Sequence, residues 1–180
     1  MILLIVISLL GIMAMRNATV GDLTSNALRT NALAQQAAEI GLRYCEEVAI
    51  QSVAGRAGDV AEIYRENIDK IIKAKNDSSK LIDIDSAAAA WHNRQNWVEA
   101  NIVIIVPNGI FRTDGTQGAL TQAPRCLIQE FYYNGVNTTP PGYLISARGF
   151  ANDANFDESS GSVTRGAEMW LQSVLTPKGE

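Results

Sequence analysis

The chain has 180 residues, 47% of them hydrophobic, which is enough for one domain with a sizeable core. Its 15 basic and 19 acidic side chains give a net charge of −4, and no run of Lys or Arg occurs. That excludes the basic surface on which a nucleic-acid binder tracks phosphates. Mean hydropathy is close to zero, but the apolar residues are not spread evenly.

Residues 1–15, MILLIVISLLGIMAM, carry no charge, and Ser8 is their only polar side chain; Arg16 is the first charge in the chain. Fifteen helical residues rise about 22 Å, less than the ~30 Å hydrocarbon core of a bilayer. A cleaved secretory signal would show a basic stretch first and a small-residue cleavage site after, and neither is visible. A soluble core helix would have a polar face, and this segment is apolar all round. Of the three readings the favoured one is a membrane anchor, either one whose helix runs on through Ala18 and Val20 to Leu23 or one missing a few residues upstream.

From Asn17 onward Leu33, Ala37, Ile40, Tyr44 and Val48 recur at spacings of three and four, which predicts one apolar helix stripe. Alanine-rich composition supports the helix, and Gly55 and Gly58 are placed to stop it. One helix from Met1 to about Ala54 would be ~80 Å long, much longer than a small domain is wide, so part of it must project. Asp59 to Lys75 predicts a second amphipathic helix, with Val60, Ile63, Tyr64, Ile68, Ile71 and Ile72 on one face. Asp85 and Ser86 are candidate caps for a third, running through the alanines to Trp97.

All five prolines lie at or beyond Pro107, so the remainder reads as strands and turns. Strands are predicted over 101–106, 126–133, 143–150 and 163–175, with turn signals at Pro107-Asn108-Gly109 and Asn134-Gly135. The fold class is therefore α+β: a long N-terminal α-helix with a small, mostly antiparallel sheet packed on its C-terminal half. The chain divides into an apolar helix at 1–25, an amphipathic half at 26–56 and a globular part at 57–180.

Chemistry-bearing motifs are sparse. One histidine, His92, and two cysteines 81 residues apart match neither zinc-site nor thiol-protease spacing. Phosphate-cradling, nucleophile-elbow and dinucleotide-binding glycine motifs are absent, so neither an enzyme nor a cofactor is expected. His92 beside Trp91 reads as a packing residue. If the anchor places the domain outside the cytoplasm, Cys45 and Cys126 can form a disulfide joining helix to strand; otherwise they are two buried thiols. Asp153, Asn155, Asp157 and Glu158 form an oxygen-rich loop with calcium-type donors but no EF-hand spacing, so a solvated loop is the simpler reading. Asn76-Asp77-Ser78 and Asn137-Thr138-Thr139 fit the N-glycosylation pattern. Arg148, inside a predicted strand, is expected to pair with a carboxylate such as Glu130.

Several stretches, taken in order, resemble the PilX-like minor pilins of the type IV pilin superfamily. They are Ala14-Met15-Arg16, then Asn31-Ala32-Leu33-Ala34-Gln35-Gln36-Ala37-Ala38-Glu39 with Leu42-Arg43. Further on come Pro124-Arg125 leading into Cys126-Leu127-Ile128-Gln129-Glu130, Tyr143-Leu144-Ile145-Ser146-Ala147-Arg148-Gly149, and Leu171-Gln172-Ser173. The resemblance implies a subunit held in the bacterial inner membrane and then assembled with copies of itself and other pilins into an extracellular helical filament. Assembly contacts would fall on the first 25 residues, Met1, Ile5, Leu9, Gly11, Arg16 and Gly21 among them. Processed pilins usually carry Glu at the fifth position, where this chain has Ile5. Weak helix formers between Gly11 and Gly21 predict that this stretch loosens within an assembled filament. Loops at 136–142 and 151–161 would face outward, towards a surface or cell receptor. The alternatives are a membrane-anchored exported adhesin or a type II secretion pseudopilin.

Overall fold

The computed structural model describes residues 2–53, 61–73, 89–111, 119–131 and 142–176; at 2–10, 12, 14, 17 and 18 it describes backbone only. Helix α1 runs unbroken over Ile2–Val53, 52 residues and about 78 Å at 1.5 Å per residue. No proline interrupts it, and Thr19 and Thr24 turn their hydroxyls back onto the carbonyls of Met15 and Val20. Gly55 and Gly58, the expected stops, lie outside the described residues.

Four strands form an antiparallel sheet in the order β1-β2-β3-β6, with β1 at Ile104–Ile105, β2 at Arg125–Phe131, β3 at Gly142–Phe150 and β6 at Glu168–Leu175. Two short strands, β4 (Asn155–Asp157) and β5 (Ser162–Arg165), make a separate hairpin between β3 and β6. The long N-terminal helix and small antiparallel sheet are thus as the sequence predicts. Four boundaries differ, that of the second helix among them. The stretch expected as one strand over 163–175 is cut at Gly166, whose φ of +86° turns the chain from the hairpin into β6. The strand expected over 101–106 shrinks to two residues. In place of a third helix reaching Trp97, two 3₁₀ turns occupy Ala90–His92 and Arg94–Trp97; the proposed caps Asp85 and Ser86 lie outside the described residues.

The second helix, α2, spans only Glu62–Ile68. Beyond it the chain extends, and Ile72 lies alongside β2: its N–H donates to the Ile128 carbonyl and its own carbonyl accepts from Glu130, both at 2.9 Å. A helix continued to Lys75 would leave those β2 groups unpaired, because β1 is too short to reach them. The sheet edge overrides the apolar periodicity.

One face of the sheet receives α1 and the other is covered by the 3₁₀ segment. On α1 the buried positions are Ala34, Ala37, Ala38, Gly41, Tyr44, Cys45, Val48 and Ala49. The predicted stripe is therefore rotated, for Leu33 and Ile40 sit at its half-buried margin. Most of the central residues are small, and their opposite numbers on the sheet are Gly149 and Ala147. A Cβ on Gly149 would lie 2.0 Å from the Ala38 backbone nitrogen and 2.3 Å from the Ala34 carbonyl oxygen. Helix and strand meet backbone to backbone there, a distance only glycine allows. Lower down, Cys45 is disulfide-bonded to Cys126 across a separation of 81 residues, which by loop-closure entropy contributes roughly 4–5 kcal/mol. The Tyr44 hydroxyl donates to the Ile63 carbonyl at 2.5 Å and accepts from Asn67 at 2.9 Å, tying α2 to the helix. Burial pushes the Tyr44 phenol above its ordinary range, against the opposing Asn67 hydrogen bond.

The Gly149 contact sets a sharp expectation. Gly149→Ala adds one methyl where backbone stands, so α1 must lift from β3. Urea unfolding should show a loss of about 2–3 kcal/mol, whereas alanine at exposed Gly21, with nothing within 4 Å of its added Cβ, should leave stability unchanged or slightly raised.

Candidate functional site

Two regions hold the residues that the sequence singles out. The first is the N-terminal half of α1. Side chains described between Gly11 and Arg29 are all exposed. Among them Met13, Met15, Val20, Leu23 and Leu28 leave 59–77% of their surface in water. Burial on the sheet begins only near Leu33 and Ala34. Five large apolar side chains within sixteen positions of one helix form a surface that nothing among the described residues covers, which is the pattern of an interaction site. Of the predicted assembly residues, Gly11, Arg16 and Gly21 lie on this surface. Ile5 and Leu9 belong to the same helix at the level of backbone, and Met1 lies outside the described residues. Among the described residues no helix is long and apolar enough to cross a membrane.

The second region is the 151–161 loop with the hairpin that follows. Its oxygen-bearing side chains do not converge on a cation, and among the described residues no group of three or more His, Cys, Asp or Glu is placed to hold a metal ion. Instead Glu158 and Asp157 each have work of their own. Glu158 pairs with Arg125. One Asp157 oxygen accepts from the Ser159 N–H and hydroxyl at 2.8 and 2.7 Å, the other from the Ser160 hydroxyl at 2.7 Å. Those hydrogen bonds, Ser160 first, hold the Asp157 carboxyl down at about 2. Asp153 and Asn155 face solvent, and Asn155 gives its backbone carbonyl to Thr164.

What the loop does is cover a pair of arginines. Arg125 and Arg148 stand opposite each other on β2 and β3, and both are buried. Two like charges on one rung are destabilising unless each is separately compensated. Arg148 donates from Nε to Glu168 and from Nη1 to the Gly161 carbonyl, both at 2.8 Å. Its guanidinium lies 4.4 Å from the Trp170 ring centroid and 4.9 Å from that of Trp97, close enough for cation–π attraction. Arg125 donates to the Trp97 carbonyl at 3.1 Å and lies over Phe156 at 4.2 Å. Burial pushes the Arg148 guanidinium down from its ordinary value, and Glu168 opposes that shift.

Arg148 thus pairs with a carboxylate, as expected, but that carboxylate is Glu168 and not Glu130. The register puts Arg148 opposite Arg125 and Glu130 opposite Tyr143, at opposite ends of the ladder. Five residues of strand, about 17 Å, separate them. Glu130 accepts from Lys73 at 2.8 Å instead, across the edge that Ile72 closes. Sequence reasoning also missed Trp97, fully buried with its indole N–H donating to the Trp91 carbonyl at 3.0 Å. His92 stacks on Trp91 with ring centroids 3.7 Å apart, the packing role expected of it. The two glycosylation patterns, at Asn76 and Asn137, lie outside the described residues.

Comparison of the chain with family models, with curated proteins and with solved structures gives no match.

Two outcomes follow from the loop chemistry. Arg148→Met strands Glu168 beside an emptied aromatic cage and should cost about 3 kcal/mol; Arg148→Met with Glu168→Gln should recover much of that, as a double-mutant cycle in urea would read. Separately, the folded Asp157 carboxyl lies below its ordinary value of 3.8. Its contribution is thus present above that ordinary value and lost as pH falls through about 2. An NMR titration should place its midpoint near 2, and Ser160→Ala should move it upward; a wild-type midpoint near 4 would contradict the hydrogen-bond set.

Proposed function

We propose that this protein is a structural subunit of a type IV pilus-like extracellular filament, with a pilin fold and kinship to the PilX-like minor pilins. The observation that carries the reading is α1 itself. One half is matched to the sheet by small residues, and the other half carries exposed apolar side chains at Met13, Met15, Val20, Leu23 and Leu28 that no described residue covers. A helix of that kind is stable in lipid, or packed against equivalent helices, and these are the two environments a filament subunit occupies in turn. Before assembly the apolar end would sit in the bacterial inner membrane. In the filament it would form the core with copies of itself and other pilins. The role is structural, not enzymatic, and uses no cofactor.

The alternatives are an exported adhesin anchored by the same helix and a type II secretion pseudopilin. The adhesin has one observation in its favour, the exposed aromatic surface of Trp170 and His92 beside Trp91.

Removing residues 1–15 separates the filament subunit from the adhesin. A filament subunit should disappear from purified extracellular filaments while the truncated chain keeps its disulfide and a cooperative unfolding transition. An adhesin stripped of its anchor should still bind its surface as a soluble domain, and wild-type cells should then yield no filaments containing the chain.

A further inference from the structure

Across the first 38 residues only three side chains are charged: Arg16, Asp22 and Arg29. All three are exposed, and none makes an ion pair with a described residue. They stand among the most exposed large apolar side chains of the described residues, Met15, Val20, Leu23 and Leu28. Any packing that covers those side chains also takes Arg16 and Asp22 out of water. A charge buried without a counterion is far costlier than one buried with it.

Partners within the same helix are out of reach. Six residues separate Arg16 from Asp22, which at 1.5 Å and 100° per residue places them about 9 Å apart along the axis and about 120° apart around it. Asp22 and Arg29 share a face but stand about 10.5 Å apart, two turns along, beyond the spacing at which helical side chains meet.

We infer that Arg16 of one copy pairs with Asp22 of a neighbouring parallel copy, with α1 kept helical across 16–22 as it is in the structure and not loosened there as the residue propensities alone predict, setting an axial stagger of about six residues between them. This rests on the assembly role proposed above for α1. The 120° between the two charges is what makes the contact repeat. Each helix offers its Arg16 face to one neighbour and its Asp22 face to another, a heterologous contact that does not close on itself and so continues as a filament. Arg29 is the poorer partner for Asp22 because it lies on the same face, which two copies would have to present to each other. The apolar side chains supply adhesion without direction, and the charge pair supplies register. A slip of one helical turn along the partner separates the charges and leaves both desolvated, so wrong staggers are penalised.

The test is a charge swap in the full chain, in cells that place the wild-type protein in extracellular filaments. Incorporation is measured by quantitative immunoblot of purified filaments against total cell protein. Arg16→Asp and Asp22→Arg alone should each cut incorporation about tenfold, and the double swap Arg16→Asp with Asp22→Arg should restore it to within about twofold of wild type. Both positions are exposed, so the domain should stay folded, which non-reducing electrophoresis and circular dichroism verify. Single variants that incorporate normally overturn the pairing, as does a double swap no better than its singles. Rescue of Asp22→Arg by Arg29→Asp instead overturns the six-residue stagger in favour of Arg29. Those three results leave the filament reading standing, because wild-type filaments are present in each. Absence of the wild-type chain from every filament preparation removes the filament reading, and the pairing with it.

Discussion

Helix α1 and strand β3 approach each other at Gly149 until backbone touches backbone, and the domain is arranged around that contact. Ala34, Ala37 and Ala38 form the helix side of the seam, with Gly41 one turn on, against Pro124 and Ala147. Where the seam widens, the side chains grow to Tyr44 and Val48 and meet Ile71, Ile104, Ile128 and Ile145 in one core. The Cys45–Cys126 bond then pins the helix to β2. Interiors pack at crystal density, so the depth set at Gly149 fixes how large each residue farther along can be. The far face of the sheet is not constrained in this way, and it is there that the large aromatic residues and buried arginines collect.

This seam also divides the helix. C-terminal to about Leu33, apolar surface is satisfied inside the chain; N-terminal to it, large apolar side chains are left in water. A mean hydropathy near zero therefore averages two different things, an ordinary domain and an apolar arm. Under the filament role proposed above, the arm's apolar side chains would be covered by lipid or by other copies, and that proposal accordingly rests on a helix and not on a pocket.

Legibility in the sequence follows the range of the forces involved. Helix α1 was readable because it is a local property: no proline, abundant alanine, a repeat of three and four. Strands β2 and β3 were readable within two residues from their apolar runs and flanking turn signals, and the cysteine pair from its placement on helix and strand. The end of α2 was not, because Ile71 and Ile72 continue a good helical pattern; what overrides it is an unpaired stretch of β2 more than fifty residues away. Nor was the partner of Arg148, which depends on strand register. No spacing within residues 143–150 shows that the opposing residue is Arg125 and not Glu130. The 3₁₀ segment was missed for a related reason, since Ala90 gives its N–H to the Gln129 side chain at 2.8 Å and Trp97 fills the space beside Leu127.

The loop at 151–161 shows how one composition supports two chemistries. Acidic and amide side chains in a turn-rich stretch read equally as cation ligands or as a solvated surface, yet the decisive fact lies in the sheet beneath. Two arginines on one rung require two counterions, and a cation bound to the same carboxylates would compete for them. Glu158 and Glu168 are committed to Arg125 and Arg148, and Gly161, at φ +67°, turns its carbonyl to Arg148. An added Cβ at Gly161 would lie 2.3 Å from the Arg94 carbonyl oxygen, so the loop seats directly on the second 3₁₀ turn. Half of a loop that composition marks as outward-facing is thereby anchored inward. Asn152 is tied to Thr121 and Ala119 and Ser159 to Asp157, so the exposed side chains of the loop left to meet another molecule reduce to Asp153 and Asn155.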